Sequence, residues 1–427
     1  MLIDGAQTCA CLVAVGQIES RRITTIEGLA ADSRYDRLRA AFHRRGAAQC
    51  GICTPGMLIA AADLLNREPK PSEDAVKDAL SGVLCRCTGY QSIIAAVLDS
   101  ARTDRIGAES TPRVGALVGA RVPRLDGMAK LNGTEIYGAD AIPADALWLR
   151  VIRSPHPYVR FSIGDLGALF RRQSGLVRAL RASDVPCNGF GIYPDVKDQP
   201  VLADGIVRFR GEAVLALIGT RTAIEAVSDD DVPIAYVATP PVLTLDEALA
   251  PGAREVQTGK PGNILVEGQV RHGGMARAFG ADALSASGRF ETAYVEHAYI
   301  EPEAGWARRV GGRIEIHVST QTPYMDRDET ARVMGLVSTH VRIVPSACGG
   351  GFGGKLDLSV QPLIALGAWL TGRPVACVYS RPESMASTTK RHAASDRVSA
   401  TMAERCRRFI AAPPPAPWHG AIPLEGD

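Results

Sequence analysis

The sequence predicts a multidomain chain in which a small all-helical unit precedes a larger α+β body. Three observations carry this reading: helical periodicity over residues 31–104, short apolar runs of strand length beyond residue 120, and an aperiodic stretch between them. In the helical part, Leu58, Ala61, Ala62 and Leu65 recur at i, i+3, i+4 and i+7, and Pro69 and Pro71 end that helix. Ser72 is placed to cap a second helix, with Glu73 and Asp74 in its first turn and Val76, Ala79, Leu80 and Val83 as its apolar stripe. A third helix follows Gly89, with Ile93, Ala96 and Val97 on one face. Residues 105–120 are rich in Gly, Ser, Thr and Pro and read as a linker. Beyond them, residues 146–152 and 213–218 read as strands, 221–227 as a helix, and 313–318 as a half-buried strand alternating at period two. No internal repeat occurs at a fixed period. After Lys390-Arg391-His392 the alternation decays into Arg405-Cys406-Arg407-Arg408 and then a proline run, which predicts an unstructured tail over residues 401–427.

Composition excludes several function classes. The hydrophobic fraction is 46% and the charged fraction 22%, as in globular domains rather than disordered chains. Lys+Arg number 48 and Asp+Glu 46, so the net charge of +2 argues against a basic nucleic-acid-binding surface. No apolar run is long enough to cross a bilayer, and the first residues lack the blocks of a signal peptide, so the expected location is cytoplasmic.

Six of the ten cysteines fall in the first 87 residues: Cys9, Cys11, Cys50, Cys53, Cys85 and Cys87. A dense local cluster in a reducing compartment points to metal or redox chemistry rather than disulfides. The scattered Cys187, Cys348, Cys377 and Cys406 are expected to be inert packing residues. Cys50-Gly51-Ile52-Cys53 and Cys85-Arg86-Cys87 lie in the turns of the helical unit, where four thiolates converging at one end suit either Zn²⁺ or a 2Fe–2S cluster. The one-residue gap of the second pair fits structural zinc poorly.

Residues 49–57, from Gln49 through Cys50-Gly51-Ile52-Cys53-Thr54-Pro55-Gly56-Met57, closely resemble part of a known helical cluster domain. So does Ser81-Gly82-Val83-Leu84-Cys85-Arg86-Cys87-Thr88-Gly89-Tyr90. The domain is the 2Fe–2S unit of the xanthine dehydrogenase/aldehyde oxidase family of molybdenum hydroxylases. Tyr137-Gly138-Ala139-Asp140 and Arg153-Ser154-Pro155-His156 resemble the start of that family's α/β hammerhead domain. His297-Ala298-Tyr299-Ile300-Glu301-Pro302, Ser319-Thr320-Gln321-Thr322-Pro323 and Gly349-Gly350-Gly351-Phe352-Gly353-Gly354-Lys355 resemble its molybdopterin-binding domain.

The resemblance implies a remnant of a plant-type ferredoxin domain over residues 1–30, the helical 2Fe–2S domain over 31–104, the hammerhead domain over 121–245, and the first part of the molybdopterin-binding domain over 246–400. It implies one 2Fe–2S cluster held by Cys50, Cys53, Cys85 and Cys87, and a molybdenum–molybdopterin cofactor contacted by Gln49 and the backbone of Cys87. Gly351, Phe352 and Gly353 are expected beside the molybdenum and its pterin, with the Gln321 amide donating to an oxygen ligand of the metal. Glycines let backbone N–H groups approach an oxygen-rich cofactor closely, although Gly349–Lys355 lacks the Walker A pattern. Glu301 and Glu303 suggest an acid/base pair, but the resemblance places the essential base elsewhere, and His297 receives no chemical role.

The implied activity is oxidative hydroxylation of an aldehyde or N-heterocycle, with electrons leaving through the cluster to a separate flavin subunit or soluble carrier. A homodimer is among the assemblies the resemblance admits. The other reading is a non-catalytic electron-transfer or binding fragment of such an enzyme. The sequence departs from the pattern at three points. Only Cys11 stands at a ferredoxin-cluster ligand position, so Cys9 and Cys11 are expected not to ligate, and residues 24–29 read as a strand with no sheet to join. The catalytic glutamate and the arginine-glycine pocket motif are absent from the matched region, so the frame is expected to be truncated at both ends. Finally, Leu356 stands where purine-oxidising members place a glutamate, which points to aldehydes over xanthine.

Overall fold

The computed structural model describes residues 1–102, 115, 118–120, 122–266, 289–391 and 395–397. The expected linker lies largely outside the described residues and the expected tail wholly so. The chain divides into two units, residues 1–241 with 298–388, and residues 242–297 with 389–427.

The first unit begins with a helical module. Its helices are Ile26–Ala30, Asp36–Arg45, Thr54–Arg67, Glu73–Leu80 and Gln91–Ala101. Most of the apolar stripe positions form its core: Leu58, Ala61, Ala62, Val76, Leu80, Ile93, Ala96 and Val97 are buried together with Met57, while Leu65, Ala79 and Val83 pack against it only partly buried. Ser72 caps its helix by accepting from the Ala75 N–H at 3.1 Å. Thr54–Arg67 extends beyond the stripe because Pro55 suits the first turn, where its missing N–H costs nothing.

One expectation about the first residues is corrected. Ile23–Thr24 is a strand, but it pairs antiparallel with Leu2–Ile3, which also pairs with Ala6–Gln7. The supposedly partnerless strand therefore sits in a three-stranded sheet, with Leu2 in the helical core. Residues 26–30 are helical rather than extended. Gly127–Asn132, beyond the linker, also packs on the helical module and buries Leu131 in its core.

The α+β body is a seven-stranded mixed sheet. Its order is Val341–Pro345, Arg313–Val318, Ala304–Val310, Val375–Val378, Leu147–Arg153, Ala213–Gly219 and Leu176–Leu180. Strand Leu147–Arg153 runs parallel to Val375–Val378, so segments on either side of residue 245 share one sheet. Both sheet faces are covered. Leu149, Val151, Ala216 and Ile218 pack toward Leu363, Ile364 and Ala365 of helix Gln361–Thr371. Ile152, Leu215 and Leu217 pack with Leu169 and Ile224 on the other side. Strands buried on both faces read as continuous apolar runs, which is why residues 146–152 and 213–218 stand out in the sequence. A smaller sheet joins Ile206–Val207, Val159–Ile163 and Ile234–Ala238.

In the second unit, Leu245–Leu249 is a short helix capped by Thr244, and Val295–Glu296 pairs antiparallel with Lys390–Arg391. Among the described residues, no helix is long and apolar enough to cross a membrane.

Candidate metal and cofactor site

Cys53 ends the turn that begins at Gln49 and stands at the N-cap of the fourteen-residue helix Thr54–Arg67. Backbone N–H groups and the helix dipole there favour negative charge. Cys85 and Cys87 lie in the turn between Glu73–Leu80 and Gln91–Ala101. That turn is fixed locally: the Tyr90 hydroxyl accepts from the Cys85 N–H at 2.8 Å and donates to the Val83 carbonyl at 3.0 Å. Gly89 and Tyr90 both take positive φ, 62° and 67°, which reverses the chain into the next helix.

The two turns bring the four thiols together, Cys53 against Cys85 and near Cys50 and Cys87, and Cys87 against Cys50. Burial, and then the Cys85 thiol, push Cys53 well above the ordinary thiol range. Burial, and then Cys50, push Cys87 up to about 12. Burial opposes ionisation of Cys85 too, but the Thr88 hydroxyl at 3.1 Å and nearby backbone N–H groups outweigh it, and its thiol is shifted down. Four thiols in two pairs are the donor set a two-iron cluster requires, two thiolates to each iron. Among the described residues, no three His, Cys, Asp or Glu side chains gather as around a single metal ion.

The glycine-rich loop comes up beside this cluster turn. A Cβ on Gly349 would lie 2.8 Å from Ile52 and 2.4 Å from the Glu301 Cβ, so only glycine allows the approach. A Cβ on Gly351 would lie 2.3 Å from the Gln321 carbonyl oxygen. Gln321 Oε1 accepts from the N–H groups of Gly353 at 3.0 Å and Lys355 at 3.3 Å. Its amide nitrogen is therefore the end left to donate to a bound group. Phe352 is half exposed at 42% and takes φ 53°, and the Arg86 guanidinium lies 5.4 Å from its ring centroid. Gly353 has φ 91°, Gln49 is exposed, and Leu356 is exposed at the loop's end. The glycines let Glu301 and Gln321 seat against the loop and take the N–H groups of Gly349, Gly353 and Lys355, so the Gln321 amide nitrogen and the exposed Phe352 are what this loop offers an oxygen-rich cofactor such as molybdopterin.

Several functional contacts were not readable in the sequence. Tyr137 donates its hydroxyl to the Cys50 carbonyl at 2.9 Å. Glu301 is buried and accepts four hydrogen bonds. Gly138 N–H donates to Oε1 at 3.0 Å; Ser319 Oγ, Gly349 N–H and Lys355 Nζ donate to Oε2 at 2.6, 2.7 and 2.7 Å. Lys355 is itself buried and also donates to Ser319 Oγ at 2.9 Å. Glu301 is consequently saturated by structural partners, and Glu303 takes the Tyr299 hydroxyl, so the two do not form a free acid/base pair.

The scattered cysteines differ from expectation. Cys377 is buried in the sheet, but Cys187 is exposed and Cys348 is partly buried, with its thiol on the Gly350 carbonyl at 3.3 Å. Cys187 is thus no packing residue, and Cys406 lies outside the described residues. Cys9 and Cys11 are exposed in the N-terminal turns. His297 is buried, with no hydrogen-bond partner at Nδ1.

A helical thiol-rich module packed against a glycine-loop sheet domain defines the class of iron–sulfur proteins that also bind a pterin cofactor. A [2Fe-2S] binding domain model matches residues 25–98, and a molybdopterin cofactor-binding domain model matches residues 256–405. The chain is 27% identical over 412 residues to an aldehyde oxidoreductase of Megalodesulfovibrio gigas, covering 92% of this chain and 45% of that protein. The solved structure titled aldehyde oxidoreductase from Desulfovibrio gigas superposes with a TM-score of 0.84 at 26% identity, covering 93% of this chain and 46% of that one. The nicotinate dehydrogenase subunits of Eubacterium barkeri are similar to separate parts. Its large molybdopterin subunit is 33% identical over 278 residues, covering 65% of this chain and 64% of the subunit. Its small FeS subunit is 42% identical over 97 residues, covering 23% and 62%. The chain therefore spans less than two thirds of each of these relatives. Together these matches support a molybdenum hydroxylase family member, with a 2Fe–2S-binding and a molybdopterin-binding domain matched in one polypeptide.

Proposed function

We propose that this chain serves a molybdenum hydroxylase that oxidatively hydroxylates an aldehyde or N-heterocycle and passes the electrons through one 2Fe–2S cluster. The observation that carries this reading is the packing of the cluster turn, through Ile52 and Arg86, against Gly349 and Phe352 of the glycine-rich loop. This packing supports a reading in which an electron relay lies beside the site of substrate oxidation.

In this reading Cys50, Cys53, Cys85 and Cys87 ligate the cluster, after losing their protons. Gln49, the Cys87 backbone, Gly351, Phe352 and Gly353 hold the pterin. When bound, the molybdenum cofactor supplies oxygen-transfer chemistry and accepts two electrons. Gln321 donates its amide N–H toward that group, its carbonyl being held by Gly353 and Lys355. The aromatic face of Phe352 and the apolar Leu356 offer contact without hydrogen bonds, which favours an aldehyde over the polar edge of a purine. A separate flavin subunit or soluble carrier takes the electrons onward. Residues 121–245 correspond to the hammerhead domain and 246–400 to the first part of the molybdopterin-binding domain.

Molybdenum content together with turnover of aromatic aldehydes and xanthine tests the assignment. Molybdenum with higher kcat/KM on aromatic aldehydes is expected. Higher kcat/KM on xanthine would overturn the preference, and iron without molybdenum or turnover would favour an electron-transfer role.

A further inference from the structure

We propose that Tyr137 and Glu301 are positioning residues that brace the cluster turn against the glycine-rich loop, with the strap that carries Tyr137 and Gly138 joining the two. This deepens the cluster assignment above and rests on it. The chain of contacts is continuous. Tyr137 donates to the carbonyl of Cys50 at 2.9 Å, and the next residue, Gly138, donates its N–H to Glu301 Oε1 at 3.0 Å. Glu301 Oε2 then holds Gly349 N–H and Lys355 Nζ, both at 2.7 Å, at the two ends of the glycine-rich loop. The strap is pinned from the side as well, since Ala347 N–H donates to the Ile136 carbonyl at 3.0 Å.

Three features show that the arrangement is tightly specified. The Tyr137 hydroxyl reaches Cys50 only because Gly51 has no side chain: a Cβ there would lie 2.3 Å from that oxygen. Gly138 reaches Glu301 only because a Cβ there would lie 2.6 Å from the Ala304 carbonyl. The charges of Glu301 and Lys355, both buried, are paired with each other and with Ser319, so the carboxylate has one well-satisfied position. Buried, charge-assisted hydrogen bonds are short and directional, which suits them to fixing geometry. A cluster turn and a cofactor loop held at fixed separation also keep the electron-transfer distance constant.

The test uses the full chain purified anaerobically, with Tyr137→Phe, Glu301→Ala, Glu301→Gln and Ser72→Ala as a control outside the brace. Amide hydrogen exchange is followed in peptides spanning residues 49–54 and 349–355, and the reduced cluster is examined by electron paramagnetic resonance. Glu301→Ala is expected to accelerate exchange roughly tenfold or more in both loops, the scale of one lost charge-assisted hydrogen bond, and to shift the cluster g-values although Glu301 touches no thiol. Glu301→Gln keeps the shape and is expected to give a smaller rise in both loops, which carries the test if the alanine variant does not fold. Tyr137→Phe is expected to loosen residues 49–54 and shift the same signal while sparing residues 349–355. Ser72→Ala is expected to change neither. The proposal fails if Glu301 variants loosen only residues 349–355 and leave residues 49–54 and the spectrum as in the wild type. A wild-type protein with no 2Fe–2S signal would overturn the cluster reading instead, and the exchange measurements alone would then decide the brace.

Discussion

Gly51 holds φ 96° between Cys50 and Cys53, and a Cβ there would meet both Tyr137 and the Lys130 side chain. Gly51→Ala therefore combines left-handed backbone strain with steric conflict. It is expected to cost about 1–3 kcal/mol of stability in thermal unfolding and to lower cluster occupancy. Lys355→Met tests a different residue-scale cost. It leaves the Glu301 carboxylate buried without its cation, and the loss expected in denaturant unfolding is about 3–5 kcal/mol. Pairing it with Glu301→Gln removes the stranded charge and should recover part of that loss. At this scale the sequence was legible where chemistry is local. The fold brings the thiols of Cys50, Cys53, Cys85 and Cys87 together, and the Cys50–Cys53 and Cys85–Cys87 spacings propose a metal site by themselves. Tyr137 and Glu301 do not, because their partners lie far away in sequence: the Tyr137–Cys50 bond spans 87 residues and the Gly138–Glu301 bond 163. Nothing about an isolated tyrosine or glutamate reveals such a partner.

The elements of the helical module follow local rules. Ser72 supplies the N-cap of Glu73–Leu80, so Ser72→Ala should lower stability by about 1 kcal/mol while leaving the cluster spectrum intact. Helix Pro323–Val333 carries a less visible feature. Asp326 is fully buried, and desolvation raises its carboxyl to about 6, against the Gln361 amide, which donates to its Oδ2 at 3.0 Å and favours the charged form. Because the folded protein holds this proton more tightly than the unfolded chain does, stability contributed at Asp326 is present below pH 3.8 and is lost as pH rises through about 6. The stability of Asp326→Asn relative to wild type should therefore improve across that window, by up to about 3 kcal/mol for roughly two pKa units. Parallel unfolding series at pH 4 and pH 7 check this, and a difference independent of pH would contradict it. The periodicity of residues 58–65 and 72–83 exposed these helices in the sequence because their apolar faces repeat within one element. The strand expected over residues 24–29 overlaps the folded strand Ile23–Thr24 at Thr24 alone, and neither its bounds nor its partner Leu2–Ile3 was readable, since two-residue strands carry too little pattern.

At the scale of the molecule, the seven-stranded sheet is assembled from segments far apart. Leu147–Arg153 lies beside Val375–Val378, although more than two hundred residues separate them. The apolar runs marked each strand for burial on both faces, but only the folded sheet shows their order. The sheet places the glycine-rich loop at the end of Val341–Pro345 and the strap Ile136–Gly138 beside it, and the helical module brings the thiols to the same place. In the proposed reading this one junction joins two chemistries, an electron relay and a cofactor cradle. Iron and acid-labile sulfide quantified in the anaerobically purified chain, alongside Cys50→Ser, test this account most directly. It predicts two irons and two sulfides per chain, with the visible absorption lost in the variant, from four thiolates that converge as two pairs. One zinc per chain, about four irons, or an unchanged spectrum in Cys50→Ser would contradict it.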